Sequence, residues 1–180
     1  FETLEVDSNH DDYVSALEIN SFIQTVGDLN NDGEINLRDA LAGVNVSPFM
    51  DGIDNDNNGY IDDIIGYDLS GNSSNVNLPN PDSDPMPRLG VSKDDIWNHG
   101  THVAGILAAV TNNNEGIAST MFNGSIICVK SSNDGDSSDD LLIHNGYAGI
   151  TYAAKAACPN PHEECQTRTI INCSWGGGGG

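Results

Sequence analysis

Hydrophobic and polar residues alternate in distinct textures along the chain. Between residues 11 and 26, Val14, Leu17, Ile19, Phe22, Ile23 and Val26 recur close to helical spacing and stop at Gly27, which predicts a short amphipathic helix. Residues 27 to 68 set single hydrophobics among Asp, Asn and Gly, and residues 70 to 95 are rich in Ser, Asn, Pro and Asp, the texture of surface loop. From His99 onward the apolar residues run together. Val103–Val110 reads as a buried helix, 125–130 as a buried strand, 141–157 as a helix and 169–174 as a second buried strand. Short apolar strands alternating with helices predict an α/β fold, a parallel sheet with helices on both faces. The division that follows is an acidic region over 1–68, a surface loop over 69–98 and an α/β core over 99–180. The closing Gly176–Gly180 run reads either as a flexible end or as backbone that meets a ligand closely.

Charge changes this picture. Twenty-seven Asp and Glu against six Lys and Arg give a formal charge of −21, so nucleic acid and anionic membrane surfaces are repelled and cations are the natural partners. Charged residues are 18% of the chain and hydrophobics 37%, a foldable composition rather than an acidic tail. No apolar run approaches the ~18 residues needed to span a bilayer. The chain opens on Phe1 rather than on a Met with a basic leader, which predicts a processed, soluble protein. Cys158 and Cys165 flank a short polar loop that a disulfide could close for about 2–3 kcal/mol; a bridge and two free thiols are equally compatible with the sequence. Cys128 and Cys173 sit in apolar runs and read as core. Asn-x-Ser sequons begin at Asn45, Asn72, Asn123 and Asn172.

Asp28-Leu-Asn-Asn-Asp-Gly-Glu-Ile-Asn-Leu-Arg-Asp39 places oxygen-bearing side chains at loop positions 1, 3, 5, 9 and 12, with Gly33 at 6 and Ile35 at 8. A hard cation takes six to eight oxygens at about 2.4 Å, so the chain must wrap it, and Gly permits the sharp turn. The expected calcium ligands are Asp28, Asn30, Asp32, the Glu34 carbonyl and Asp39; a plain Asx-rich turn is the competing reading. The loop resembles those of dockerin modules. Asp54-Asn-Asp-Asn-Asn-Gly-Tyr-Ile-Asp62 repeats the pattern, with Asp54, Asp56, Asn58, the Tyr60 carbonyl and Asp62 as ligands. Its twelfth position is Ile65, so Asp63 or a water would complete the shell. Like-charge repulsion in the empty loops predicts that residues 27–66 depend on metal to fold.

In Asn98-His99-Gly-Thr-His102-Val-Ala-Gly-Ile-Leu-Ala-Ala109 a histidine stands immediately before a helix that is apolar nearly all round. An imidazole at that point can act as a general base, and Gly100 leaves room beside it. Spacing alone admits a metal pair or a satisfied core histidine equally well. The residues themselves go further: His-Gly-Thr-His-Val-Ala-Gly is similar to the histidine motif of the subtilisin family of serine peptidases. The order continues, since Asn112–Ile117 resembles that family's post-helix loop, Gly124–Lys130 its next strand and Ile170–Gly177 its substrate-lining strand. Upstream, Asp51–Asp63 and Gly66-Tyr-Asp68 look like the calcium-bearing insert of a bacterial subgroup. The resemblance covers roughly residues 51 to 180 and implies a subtilisin-like sheet with an irregular acidic calcium-binding insert. It implies that His99 is the general base and that His102 is structural. It also implies that Ser174, Trp175 and Gly176 lie along the substrate backbone as an extra antiparallel partner, for acyl transfer by a Ser, His and Asp triad.

The family's Gly-Thr-Ser-Met-Ala nucleophile motif does not occur in these residues, nor does its oxyanion-hole Asn. The triad Asp is expected at the end of an apolar strand reading Asp-Thr-Gly or Asp-Ser-Gly. Val6-Asp7-Ser8-Asn9 is the nearest match and a poor one, because Glu5 falls in the strand and Asn9 replaces Gly. The expectation is therefore the N-terminal part of a secreted, calcium-loaded endopeptidase, acting on polypeptides and completed by a Ser-bearing C-terminal segment. The alternatives are a catalytically dead structural or binding component of an extracellular assembly, and a calcium-dependent dockerin-like adhesion module.

Overall fold

The computed structural model describes residues 6, 8, 10, 15–72, 75, 77–87, 98–122, 124–134, 142–158 and 168–176. The chain forms two compact units, Phe1–Ile65 and Gly66–Gly180.

In the first unit, helix α1 (Ala16–Val26) opens on a reciprocal cap: the Glu18 amide donates to Ser15 Oγ at 3.3 Å and the Ser15 amide to the Glu18 carboxylate at 3.0 Å. It forms over the last part of the segment predicted from periodicity, and residues 11–14 lie outside the described ones. Its face carrying Ile19 and Ile23 is buried against Val6, Ala40 and Phe49, while Leu17 on the other side is 79% exposed. Phe22 meets Phe49 edge to face with ring centroids 5.6 Å apart. A 3₁₀ helix, Leu37–Leu41, returns the chain to this core, capped by the same reciprocal device between Asn36 and Asp39. Leu29, Leu37 and Ile64 pack at its margin. Ala40, Phe49, Leu29, Leu37 and Ile64 of the acidic segment thus converge on one small core, while Ile35, Val44, Val46, Ile53 and Ile61 stay exposed.

In the second unit, β1 (Gly66–Asp68) and β2 (Cys128–Lys130) pair in parallel, with Gly66 opposite Cys128 and Asp68 opposite Lys130. Downstream of β1 the loop folds back, Asp68 and Asp82 exchanging backbone hydrogen bonds of 2.9 and 3.0 Å. Helix α3 (Gly146–Ala156) packs on β2 where Gly149 faces Val129 and Ser131; a Cβ at Gly149 would lie 2.9 Å from Ser131 Oγ. Tyr152 is buried and its ring sits 5.6 Å from that of Tyr67. The amides of His144 and Asn145 donate to the Ser131 carbonyl at 2.9 and 3.3 Å, and Asn145 Nδ2 donates to Ser70 Oγ at 3.0 Å. These bonds bolt the start of α3 to the end of β2.

The structure is α/β with helices and a small parallel sheet, and it corrects several expectations of burial. Helix α2 (His99–Ala108) forms where the apolar run predicts it, yet none of its residues is buried and Ile106 is 58% exposed. The strand expected over 125–130 forms only at 128–130, with Ile126, Ile127 and Val129 exposed. Residues 169–174 form no strand, and Ile170 is 94% exposed. Cys128 and Cys173 are exposed free thiols rather than core. The physical reason is shared. A parallel strand is buried only when ladders flank it and helices cover it, and the described sheet has two strands of three residues. Cys158 is disulfide-bonded, and its expected partner Cys165 lies outside the described residues. Among the described residues no helix is long and apolar enough to cross a membrane.

Candidate functional site

His99 is the first residue of α2 and is exposed. Asn98 caps the helix through its carbonyl, which accepts from the His102 amide at 3.0 Å, and makes no side-chain cap. A Cβ at Gly100 would meet nothing within 4 Å. The post-helix segment doubles back, the amides of Thr120 and Met121 donating to the Ile106 and Leu107 carbonyls at 3.2 and 2.9 Å. A groove of about 640 Å³ runs along the helix face that carries Thr101, His102, Gly105 and Ile106, closed on the other side by Glu115 and Ile117. His99 is not part of its lining.

The three residues expected along a substrate backbone lie at the end of the described chain. Ser174 Oγ accepts from Asn172 Nδ2 at 2.8 Å. Trp175 is 43% exposed, and a Cβ at Gly176 would meet nothing within 4 Å. Among the described residues this stretch pairs with no strand. Asp7 lies outside the described residues.

The two acidic loops of the first unit turn alike through their first six positions and differ at the ninth, where Asn36 is extended and Asp62 has a φ of 56°. Asn31 and Gly33 adopt φ of 60° and 90°; at the matching positions of the second loop Asn57 and Gly59 adopt 60° and 95°. In each, the first Asp gathers the turn: Asp28 accepts from the amides of Asp32 and Gly33, at 3.2 and 3.0 Å, and Asp54 from those of Asn58 and Gly59, at 3.1 and 2.8 Å. The third and fifth positions repeat as well. Asn30 and Asp32 accept from Asp32 and Glu34, and Asp56 and Asn58 accept from Asn58 and Tyr60. The loops part at their ends. Asp39 is fully buried and its carboxylate accepts from Leu29, Asn30 and Asn36; burial would raise its pKa, but the Asn36, Asn30 and Leu29 amides together hold it below the usual carboxylate range. In the second loop Asp62 accepts from the Asp51 and Gly52 amides, while Asn58 Nδ2 bridges Asp56 and Asp63. Burial raises the Asp56 carboxyl, and the Asp63 and Asp54 charges push the same way against the Asn58 amide.

All these donors are oxygens, the chemistry a hard cation selects, and the Asp54–Asp56–Asp63 crowding is of the sign a cation relieves. Among the described residues, however, no group of three or more His, Cys, Asp or Glu side chains converges closely enough to hold a metal ion. The carboxylates hold the loops' own amides instead.

The histidine helix, its doubled-back loop and the strand that follows occur in one order, and residues 29–180 match the family model described as the subtilase family. The chain belongs to the subtilase family. Over 103 residues it is 38% identical to subtilisin-like protease 1 of Plasmodium falciparum, covering 57% of this chain and 12% of that protein. It is 44% identical over 73 residues to thermitase of Thermoactinomyces vulgaris, covering 41% of this chain and 23% of that one. With an extracellular protease of Xanthomonas campestris it shares 41% identity over 83 residues, 45% of this chain and 13% of that protein. The matches therefore span less than a quarter of these relatives' own lengths. No solved structure matches the chain.

One feature of this subtilase chain is not expected from its motifs. Lys130 Nζ contacts Asp68 Oδ2 at 2.7 Å and Asp134 Oδ1 at 2.5 Å, and the Asp68 side chain is wholly buried. Asp68 also accepts from the Ser70 and Gly71 amides. Burial would lower the Lys130 ammonium, but Asp134 and Asp68 hold it above its ordinary value. The signal was present as an Asp and a Lys each ending a short apolar run, a placement that buried charge tolerates only when paired.

Proposed function

We propose that this subtilase chain carries the histidine-bearing part of a secreted subtilisin-like serine endopeptidase that hydrolyses peptide bonds. The observation that supports this most is His99, exposed at the first position of α2. A Ser hydroxyl, supplied by the remaining C-terminal part of the peptidase domain, attacks the scissile carbonyl carbon. The His99 imidazole takes the hydroxyl proton and then passes it to the leaving amine, before water resolves the acyl-enzyme. Ser174, Trp175 and Gly176 would align an extended polypeptide by main-chain hydrogen bonds. Residues 1–68 form an acidic calcium-binding region with loops at 28–39 and 54–65, of which 51–68 would be the calcium-bearing insert. Asp28, Asn30, Asp32, the Glu34 carbonyl and Asp39 would hold one ion, and Asp54, Asp56, Asn58, the Tyr60 carbonyl and Asp62 a second. Calcium would supply positive charge that lets these carboxylates stay ionised side by side. The extracellular Xanthomonas relative supports a site of action outside the cell.

The experiment is a fluorophosphonate serine probe applied to the full-length protein and to its His99→Ala variant. Labelling of the unsubstituted protein that falls by at least about a thousandfold in the variant is the expected result. Absence of labelling in a preparation where the probe works on a control peptidase would favour a catalytically dead component instead.

A further inference from the structure

We infer that Gly146 is a positioning residue for the segment Ser174–Gly176, because its missing side chain is the space in which the Trp175 indole rests. The inference rests on reading 174–176 as the substrate-aligning segment. A Cβ built at Gly146 would lie 2.8 Å from Trp175 Cζ2, 3.0 Å from its Cη2 and 3.1 Å from Ile143 Cγ2. It would be pinched between an indole and a branched side chain. Backbone conformation does not demand glycine here, since Gly146 is the first residue of α3 and is not among the positive-φ positions. Glycine at the start of a helix with no side-chain cap is an unfavourable choice on helix propensity alone, so the close approach accounts for it.

The other glycines in ordinary backbone conformations set the contrast. Gly100, Gly105 and Gly176 have nothing within 4 Å, and Gly124 meets only the flexible Met121 side chain. Gly149 meets β2 and seats the helix there. Of these, Gly146 alone faces the segment that follows the helix. When a methyl is added, the helix cannot retreat: the His144 and Asn145 amides hold Ser131, Asn145 Nδ2 holds Ser70, and Gly149 is already in contact with Val129. Trp175 is the partner with room to move, at 43% exposure, and its rigid two-torsion side chain transmits the shift to its own backbone. The displaced atoms are then the main-chain groups of 174–176 that an extended substrate would pair with, whereas His99 and its helix are untouched.

The test uses the full-length protein, a fluorophosphonate probe and fluorescein-labelled casein. Gly146→Ala should keep the unsubstituted rate of probe labelling and a kcat within about twofold, while KM for casein rises roughly tenfold. In a Trp175→Leu background the same Gly146→Ala change should alter KM by less than about twofold, because the shorter side chain vacates the space. An unchanged KM in the single variant overturns the inference, as does an equal rise in the Trp175→Leu background. If Gly146→Ala alone fails to fold, folding of the double variant supports the inference, and failure of both overturns it. An unsubstituted protein that takes no label overturns the peptidase reading and this inference with it; normal labelling with no change in KM overturns this inference alone.

Discussion

The two compact units bury their hydrophobic residues to different extents. In Phe1–Ile65 the helix face and the 3₁₀ helix close on Ile23 and Phe49, which are 0% and 2% exposed. Among the described residues of Gly66–Gly180 the buried hydrophobics are Tyr67, Leu69, Tyr152 and Ala153, while Ile106, Val110 and Ile170 stand 58%, 71% and 94% exposed. The longest apolar runs of the sequence, at 103–110 and 125–129, are thus among its more exposed stretches. The first unit pairs residues that are near in sequence, so its hydrophobics find each other within some sixty positions. Helix α2 and the residues before β2 are apolar, and among the described residues no layer covers them.

The largest expected effect tests what holds the second unit together. Lys130→Met leaves Asp68 buried without its countercharge and should cost about 3–5 kcal/mol in a urea titration. A loss below about 1 kcal/mol would mean the ion pair is not what fixes β1 against β2. Metal removal should act on the other unit. Chelation should withdraw about 2.7 kcal/mol if calcium stands at a hundred times its Kd, and should raise proteolytic cutting within residues 27–66 but not within α3. Equal sensitivity in both regions would break the contrast. Next in size, Ile106→Ser should cost about 2 kcal/mol in the full-length protein and less than about 0.5 kcal/mol in residues 1–180 alone. The same small loss in both would show that α2 stays uncovered.

The smallest effect is a pH dependence in the second unit. Burial, with the Asp68 and Asp84 charges behind it, raises Asp82 above its ordinary value of 3.8. A carboxyl with a raised folded pKa binds its proton more tightly when folded, so this contribution to stability is full below 3.8 and is lost as pH rises through the folded value. Asp82→Asn should therefore raise the melting midpoint at pH 7 by at most about 2 °C, and the gain should vanish by pH 3. A gain that persists at pH 3 would assign it to packing instead.

Much of the candidate site was legible as short motifs because its information is local. The Asp28 and Asp54 loops are set by Asn and Gly at fixed offsets, since only those residues enter the left-handed region cheaply and since each Asp reaches amides four and five positions on. The α1 cap is likewise written in Ser15 and Glu18, and the start of α2 in the His99 motif. Burial was not legible in the same way. The runs at 103–110 and 169–174 announce apolar surface, but which surface covers it depends on segments far away in sequence, so the expected burial of α2 and of a strand at 169–174 did not appear. The Asp68–Lys130 pair and the Trp175–Gly146 contact belong to that second kind. Sequence by itself determined the turns of the two acidic loops, the presence of three helices and the family, because these depend on residues within a turn or two of one another, while the helices start at 16, 99 and 146 rather than at 11, 103 and 141. Tertiary structure alone decided that a lysine 62 positions away neutralises Asp68, and that a glycine at the head of one helix makes room for an indole near the end of the described chain. Such contacts depend on closing long loops around a shared core, and no local spacing encodes where those loops close.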